Sequence, residues 1–146
     1  MKHWITVGLI AAATTAAAEE PFMYVTDQSF DDVTFGLESA IIDAGLVVDH
    51  ISHTGDMLER TRADVGSDVV LFEAADVYSF CSATVSRSVM EANPLNLMYC
   101  PYDIFVAVLA DKPGETIIGF RPYPDGPMQE VHDLLDGIAR AAIGLE

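Results

Sequence analysis

The stretch from Tyr102 to Arg121 constrains the fold of this chain more than any other. Tyr102 to Ala110 (Tyr-Asp-Ile-Phe-Val-Ala-Val-Leu-Ala) is rich in aromatic and β-branched residues and predicts a strand. Asp111-Lys112-Pro113-Gly114-Glu115 is a tight turn, and Thr116 to Arg121 predicts the returning strand. A link this short joins antiparallel neighbours, because a parallel pair needs a crossover of a dozen or more residues. At least part of the sheet is therefore antiparallel. Alternation puts Asp103, Phe105 and Ala107 on one face of the strand, and Tyr102, Ile104, Val106 and Val108 on the other.

The segments before this hairpin alternate between strand and helix. Phe22 to Thr26 reads as the first strand. Ser29 stands in capping position with Asp32 three residues on. Phe30, Val33, Leu37, Ala40, Ile41 and Ala44 then form one helical face, with Gly45 as terminator. Leu46 to Ser52 predicts a second strand. Thr54 to Val65 predicts a short helix with Met57, Leu58 and Thr61 inward, and Gly66-Ser67 a turn. Val69 to Phe80 predicts a third strand with a bulge at Ala74-Ala75-Asp76. Ser82 caps a helix through Ala92, with Val85, Val89 and Met90 inward, and Asn93-Pro94 ends it. After the hairpin, Met128, Val131, Leu134, Leu135, Ile138 and Ala142 mark the buried face of a last helix from about Pro127 to Ile143. The order β-α-β-α-β-α-β-β-α reads as α+β: a single mixed or antiparallel sheet with helices packed on one face.

The N-terminus has a different character. Lys2 and His3 precede an apolar run from Trp4 to Ala13, and Ala16-Ala17-Ala18 offers a small-x-small cleavage site before Glu19-Glu20-Pro21. This is the pattern of a secretory signal peptide. The apolar run is shorter than the roughly 20 residues of a spanning helix. We read residues 1–18 as the signal and residues 19–146 as one domain, periplasmic or secreted, with no membrane association once the signal is removed. Seven basic residues face 23 acidic ones, and one of the seven, Lys2, lies in the leader. Such a surface repels phosphate backbones and anionic lipid headgroups, so nucleic acid is excluded as a partner. The charge serves solubility or attracts a cationic ligand or basic partner.

The segment Phe72 to Val108 carries Phe-Glu-Ala, Tyr-Ser-Phe-Cys-Ser-Ala and Glu-Ala-Asn-Pro-Leu-Asn-Leu-Met-Tyr-Cys-Pro-Tyr-Asp-Ile-Phe-Val-Ala-Val. With the Phe-containing amphipathic helix of Phe30 to Leu46, it resembles the domain of unknown function 302 family, over roughly Tyr24 to Arg121. Cys100-Pro101 reverses the family's Pro-Cys order, Tyr102-Asp103 replaces its basic residue, and Ser82 rather than Asn follows Cys81. The resemblance implies a compact α+β domain that tends to form dimers, and no established reaction.

Four groups of residues could carry chemistry. Cys81 ends one strand and Cys100 precedes another, so the two could meet at one end of the sheet. In an oxidising compartment such a pair is a structural disulfide, two buried thiols, or a reactive redox or sulfur-handling pair. The spacing is not Cys-x-x-Cys, and no adjacent Lys or Arg would depress a thiol. His50 and His53 flank the end of the second strand and converge only if it stops between them. His132 is expected on the exposed side of the last helix, and a metal site would need three or four converging ligands. Among the carboxylates, Asp103 and then Glu73 stand out for their strand settings, and a solvent-facing side chain is the plain reading of both. Tyr78, Tyr99, Tyr102 and Phe120, with Arg121, cluster around strand ends and could line a pocket, a dimer interface or simply the core.

No phosphate loop, nucleophile elbow or zinc-hydrolase motif is present. The expectation is a non-enzymatic ligand-binding or assembly module with no metal or cofactor. It would be a homodimer, or would take a small-molecule or protein partner. The alternative is a thiol-disulfide or sulfur-handling protein using Cys81 and Cys100.

Overall fold

The computed structural model describes residues 19–145. The signal-peptide reading of residues 1–18 lies outside the described residues. Five strands, Phe22–Thr26 (β1), Val48–Ser52 (β2), Phe72–Phe80 (β3), Tyr102–Leu109 (β4) and Thr116–Phe120 (β5), form one sheet in the order β1-β5-β4-β3-β2. Every neighbouring pair is antiparallel. The helices are Phe30–Asp43 (α1), Thr54–Thr61 (α2), Ala83–Ala92 (α3) and Gln129–Ala142 (α4), and a 3₁₀ turn spans Pro94–Tyr99. The chain is α+β, and the predicted order of elements is the observed one.

Local chemistry accounts for the ends of α1. The Ser29 hydroxyl accepts the Asp32 backbone N–H and donates to the Asp32 carboxylate. That reciprocal arrangement satisfies donors the first turn leaves unpaired. At the other end Gly45 takes φ 77°. There Leu46 N–H bonds Ile41 C=O and Gly45 N–H bonds Ile42 C=O, which closes the helix in a Schellman motif. Gly144 repeats the device after α4, with Leu145 N–H on Arg140 C=O.

Cross-strand partners share a face of the sheet. Tyr78 pairs with Ile104, Phe80 with Tyr102, and Val106 with Ile118. These side chains meet Val33, Leu37 and Ile41 of α1 and Val131, Leu135 and Ile138 of α4, all buried in one cluster. α1 and α4 approach closely where Gly36 faces the Ala142 carbonyl; a Cβ on Gly36 would stand 2.2 Å from that oxygen. The opposite face carries no such layer from α1 and α4.

The structure corrects several details. β3 begins at Phe72, not Val69, and its register shift lies between Phe72 and Ala74 rather than at Ala74–Asp76. Val69, Val70 and Leu71 are exposed. The ladders stop short of them: β2 pairs only with Val77–Phe80, the β4 ladder begins at Phe72, and beyond it the Ala110 N–H bonds Leu71 C=O. α2 closes as a regular helix at Thr61 and continues in irregular turns to Gly66, whose φ is 74°. Met57, expected inward, is exposed, and α2 buries no residue fully. It packs beside β3, where Gly55 sits against the Ala74–Ala75 backbone. The expected connector Leu95 to Cys100 is largely a 3₁₀ turn, begun by the Asn93 side chain accepting from Leu95 N–H.

Candidate functional site

Two regions collect the side chains that could act. The first lies where β3 ends and β4 begins. The last ladder pair is Phe80 and Tyr102. Cys81 stands one residue beyond it on β3, and Cys100 two residues before it on β4. The two sulfurs are 2.9 Å apart, both half-buried and both carried as thiols. The Cys100–Pro101 peptide is cis. Burial pushes the Cys81 thiol up to about 12, and Cys100 and the Asp49 charge push the same way. A thiol held protonated is a poor nucleophile at neutral pH.

Around the thiols lies a tyrosine cluster. The Tyr102 and Ser86 hydroxyls are hydrogen-bonded at 2.9 Å. Tyr99 and Tyr102 stand 5.8 and 6.4 Å, centroid to centroid, from Tyr123. The Tyr123 hydroxyl is buried without a partner, and desolvation raises its pKa. Sequence reasoning missed Tyr123 by treating Pro122 to Gly126 as loop. An aromatic between two prolines is the signal that was available, since the two rings stiffen the backbone that aims it.

The five residues proposed as a binding cluster do not come together. Tyr78, Tyr102 and Phe120 are 3%, 1% and 1% exposed, so they fill the helix-covered core. Tyr99 is half-buried against Tyr123. Arg121 is on the other face, where its guanidinium donates to Asp103 Oδ2 at 3.0 Å. Phe120 stacks with Phe22 at 5.6 Å, and His132 sits edge-on to both rings at 5.4 and 4.3 Å. His132 was expected on the exposed side of α4. Instead its Nδ1 is buried without a partner, because the apolar stripe of the helix is wide enough to include it.

β2 stops at Ser52, between His50 and His53, but His50 is exposed and the His53 ring turns to Asp76 at 2.9 Å. Among the described residues no three His, Cys, Asp or Glu side chains stand close enough to hold a metal ion. Glu73 is exposed at the bulge of β3.

The second region is the open face of the sheet. Its paired positions are Met23 and Val25 on β1, Ile117 and Gly119 on β5, Asp103, Phe105 and Ala107 on β4, Ala75, Val77 and Ser79 on β3, and His50 and Ser52 on β2. Phe105 faces Gly119 across the ladder, and its ring lies over the glycine: a Cβ there would meet Phe105 Cζ at 2.9 Å. An aromatic over a glycine shields backbone that has no side chain of its own to cover it. Asp103 is the one acid among these twelve positions, held between the Ser79 hydroxyl and Arg121. A shallow depression of about 340 Å³ lies beside it, bordered by Glu19, Pro21, Val77, Phe105 and Pro122.

No family model matches the chain, and no curated protein matches it. Its fold does resemble a solved one, the crystal structure of an uncharacterized conserved protein DUF302 from Bacillus stearothermophilus. The match has a TM-score of 0.67 at 14% identity and covers 86% of this chain and 98% of that one. The resemblance to domain of unknown function 302 drawn from the sequence is thus matched by a likeness of fold. At this identity the likeness concerns fold alone. No described helix is long and apolar enough to cross a membrane.

Proposed function

We propose that this chain is a non-enzymatic assembly module that pairs with a second copy of itself through the open face of its sheet. The observation that carries this reading is the distribution of charge. The chain holds 23 acidic residues, yet the paired positions of its open face include Met23, Val25, Ile117, Phe105 and Val77 and one carboxylate, Asp103, which is held by Arg121, with Glu19 at the border of the depression beside it. Two copies of so acidic a chain repel each other at every other contact. This face is where apposition costs least and removes the most apolar surface from water.

Its size is adequate. Five strands at about 4.8 Å spacing and roughly 20 Å long project about 500 Å². Side-chain relief takes the accessible area toward the ~800 Å² per partner of a standard interface. Flat sheets also stack well face to face, about 10 Å apart. A two-fold pairing would set the Asp103–Arg121 pairs at the rim of a central apolar patch, the usual division of labour in an interface.

The small-ligand form of the reading uses the depression beside Phe105, and the signal-like pattern of the N-terminal sequence supports a setting outside the cytoplasm for either form. The thiol-handling alternative has less support, because burial works against a thiolate at Cys81.

Light scattering on the purified protein tests the proposal: a dimer mass is expected, falling to the monomer for Phe105→Glu. A wild-type monomer at micromolar concentration would defeat the assembly reading. A melting temperature indifferent to a broad metabolite library would defeat the ligand reading.

A further inference from the structure

We infer that Cys81 and Cys100 close as a disulfide that clamps the base of the α3–3₁₀ excursion between β3 and β4. The geometry comes from the sheet. Just past the last β3–β4 ladder pair, Phe80 and Tyr102, the register sets Cys81 opposite Pro101 and leaves Cys100 one residue further on. The two cysteines are thus diagonal neighbours across the strand ends, and their sulfurs already stand 2.9 Å apart.

The excursion needs such a clamp. The residues between the cysteines bury little: Val89 is the one fully buried residue of α3, and the 3₁₀ turn has none. Leu95, Leu97 and Met98 are 76%, 65% and 74% exposed. Apart from Tyr99 against Tyr123, the contacts that hold the turn are polar and local, the Asn93 cap on Leu95 and the Asn96 amide donating to Val89 C=O. A segment with few buried contacts and exposed backbone opens ahead of the global transition. A covalent tie at its two ends restricts that opening, and it closes a loop 19 residues apart in sequence.

The reaction needs an external disulfide donor, such as oxidised glutathione or a disulfide-donating oxidoreductase. One cysteine, as thiolate, attacks a donor sulfur and releases the first donor thiol. The second cysteine, deprotonated in turn, displaces the remaining donor sulfur, and the Sγ–Sγ bond forms. The two cysteines lose two protons and two electrons, and the donor leaves as two thiols. Because the Cys81 thiol holds its proton, closure needs a catalyst or a donor in excess.

Intact mass and alkylation of the purified protein, after incubation with excess oxidised glutathione, test the inference. The expected product is about 2 Da lighter than the dithiol and unreactive to alkylation under denaturing conditions. Reduction should restore two alkylatable thiols and lower the melting temperature by about 10 °C. Faster amide exchange should then be confined to residues 83–99. The double variant Cys81→Ala/Cys100→Ala should melt with the reduced protein and ignore reductant. If that variant fails to fold, the reduced wild type still gives the comparison. Two alkylatable thiols after oxidation would overturn the bond. A bridge whose reduction changes neither melting nor exchange would overturn the clamp.

Discussion

The two faces of the sheet are built from the same strands and differ in almost everything else. The helix-covered face holds Tyr78, Phe80, Tyr102, Ile104, Val106, Ile118 and Phe120 in a closed cluster. The open face holds smaller or flatter groups, Ala75, Ala107, Gly119 and Phe105, and keeps Met23 and Val25 in solvent. Alternation along each strand makes both faces apolar. What separates them is volume: bulky side chains interdigitate with helices, whereas small and flat ones leave a plane on which another sheet can rest. An apolar residue on this chain is therefore no sign of which face it serves.

Substitutions on adjacent residues of β4 break or sharpen this contrast. Ile104→Ala leaves a cavity under the helices and should cost about 2–5 kcal/mol, read as a lower urea midpoint at unchanged slope. Gly36→Ala attacks the same layer from the helix side. The added carbon meets the backbone oxygen of Ala142, which cannot rotate away, so α1 and α4 must separate at a cost of about 1–3 kcal/mol. A Gly36→Ala protein as stable as wild type would show that the helix layer is loosely packed.

Alkaline pH should also act on the helix-covered face. Tyr24, Tyr78 and Tyr102 occupy that side of the ladder. Asp136, hydrogen-bonded to the Tyr24 hydroxyl, raises that phenol. Burial first, then the charges of Glu38 and Asp76, pushes Tyr78 up to about 12. Burial also raises Tyr102. In the unfolded chain a phenol ionises near pH 10. The folded protein keeps these protons longer, so stability is complete below about pH 10 and drains as pH climbs toward 12. The slope is at most about 1.4 kcal/mol per pH unit for each protected group. Thermal melts between pH 8 and 12 measure it, and a flat profile would mean the phenols are not sequestered. The Cys81 thiol adds to the slope only in reduced protein.

The open face should respond in the opposite manner. Phe105→Glu is expected to change monomer stability by about 1 kcal/mol or less while abolishing the dimer. A loss comparable to Ile104→Ala, with the dimer intact, would remove the distinction between faces. Arg121→Ala should do least, about 0–1 kcal/mol, because its pairing with Asp103 is exposed. Its dimer should dissociate somewhat faster without losing the fold.

Much of the fold was legible residue by residue. Ser29 and Gly45 bracket α1, Ser82 caps α3, and the Asp111–Glu115 turn joins β4 and β5 as the sequence predicts. These features depend on neighbours a few positions away, so local pattern carries them. The start of β3 was not legible, because Val69-Val70-Leu71 has strand chemistry but lies beyond the ladder, met there by the Ala110 N–H on Leu71 C=O. The candidate site was legible in part. Cys81 and Cys100 meet as their positions at strand ends suggested. The aromatic cluster separates, because Tyr78, Tyr102 and Phe120 turn toward the helices while Arg121 turns away.

By itself the sequence determined the acidic charge, the order of elements and the antiparallel hairpin, since each follows from composition or from spacing within one turn or strand. Only the tertiary structure decided which apolar residues are core, that His132 sits edge-on to the stacked Phe22 and Phe120 rings, and that Phe105 covers Gly119. Those facts depend on strand register and helix placement, which are settled by long-range packing. Periodicity shows that a strand has two faces. It takes the neighbouring elements to choose which face is covered.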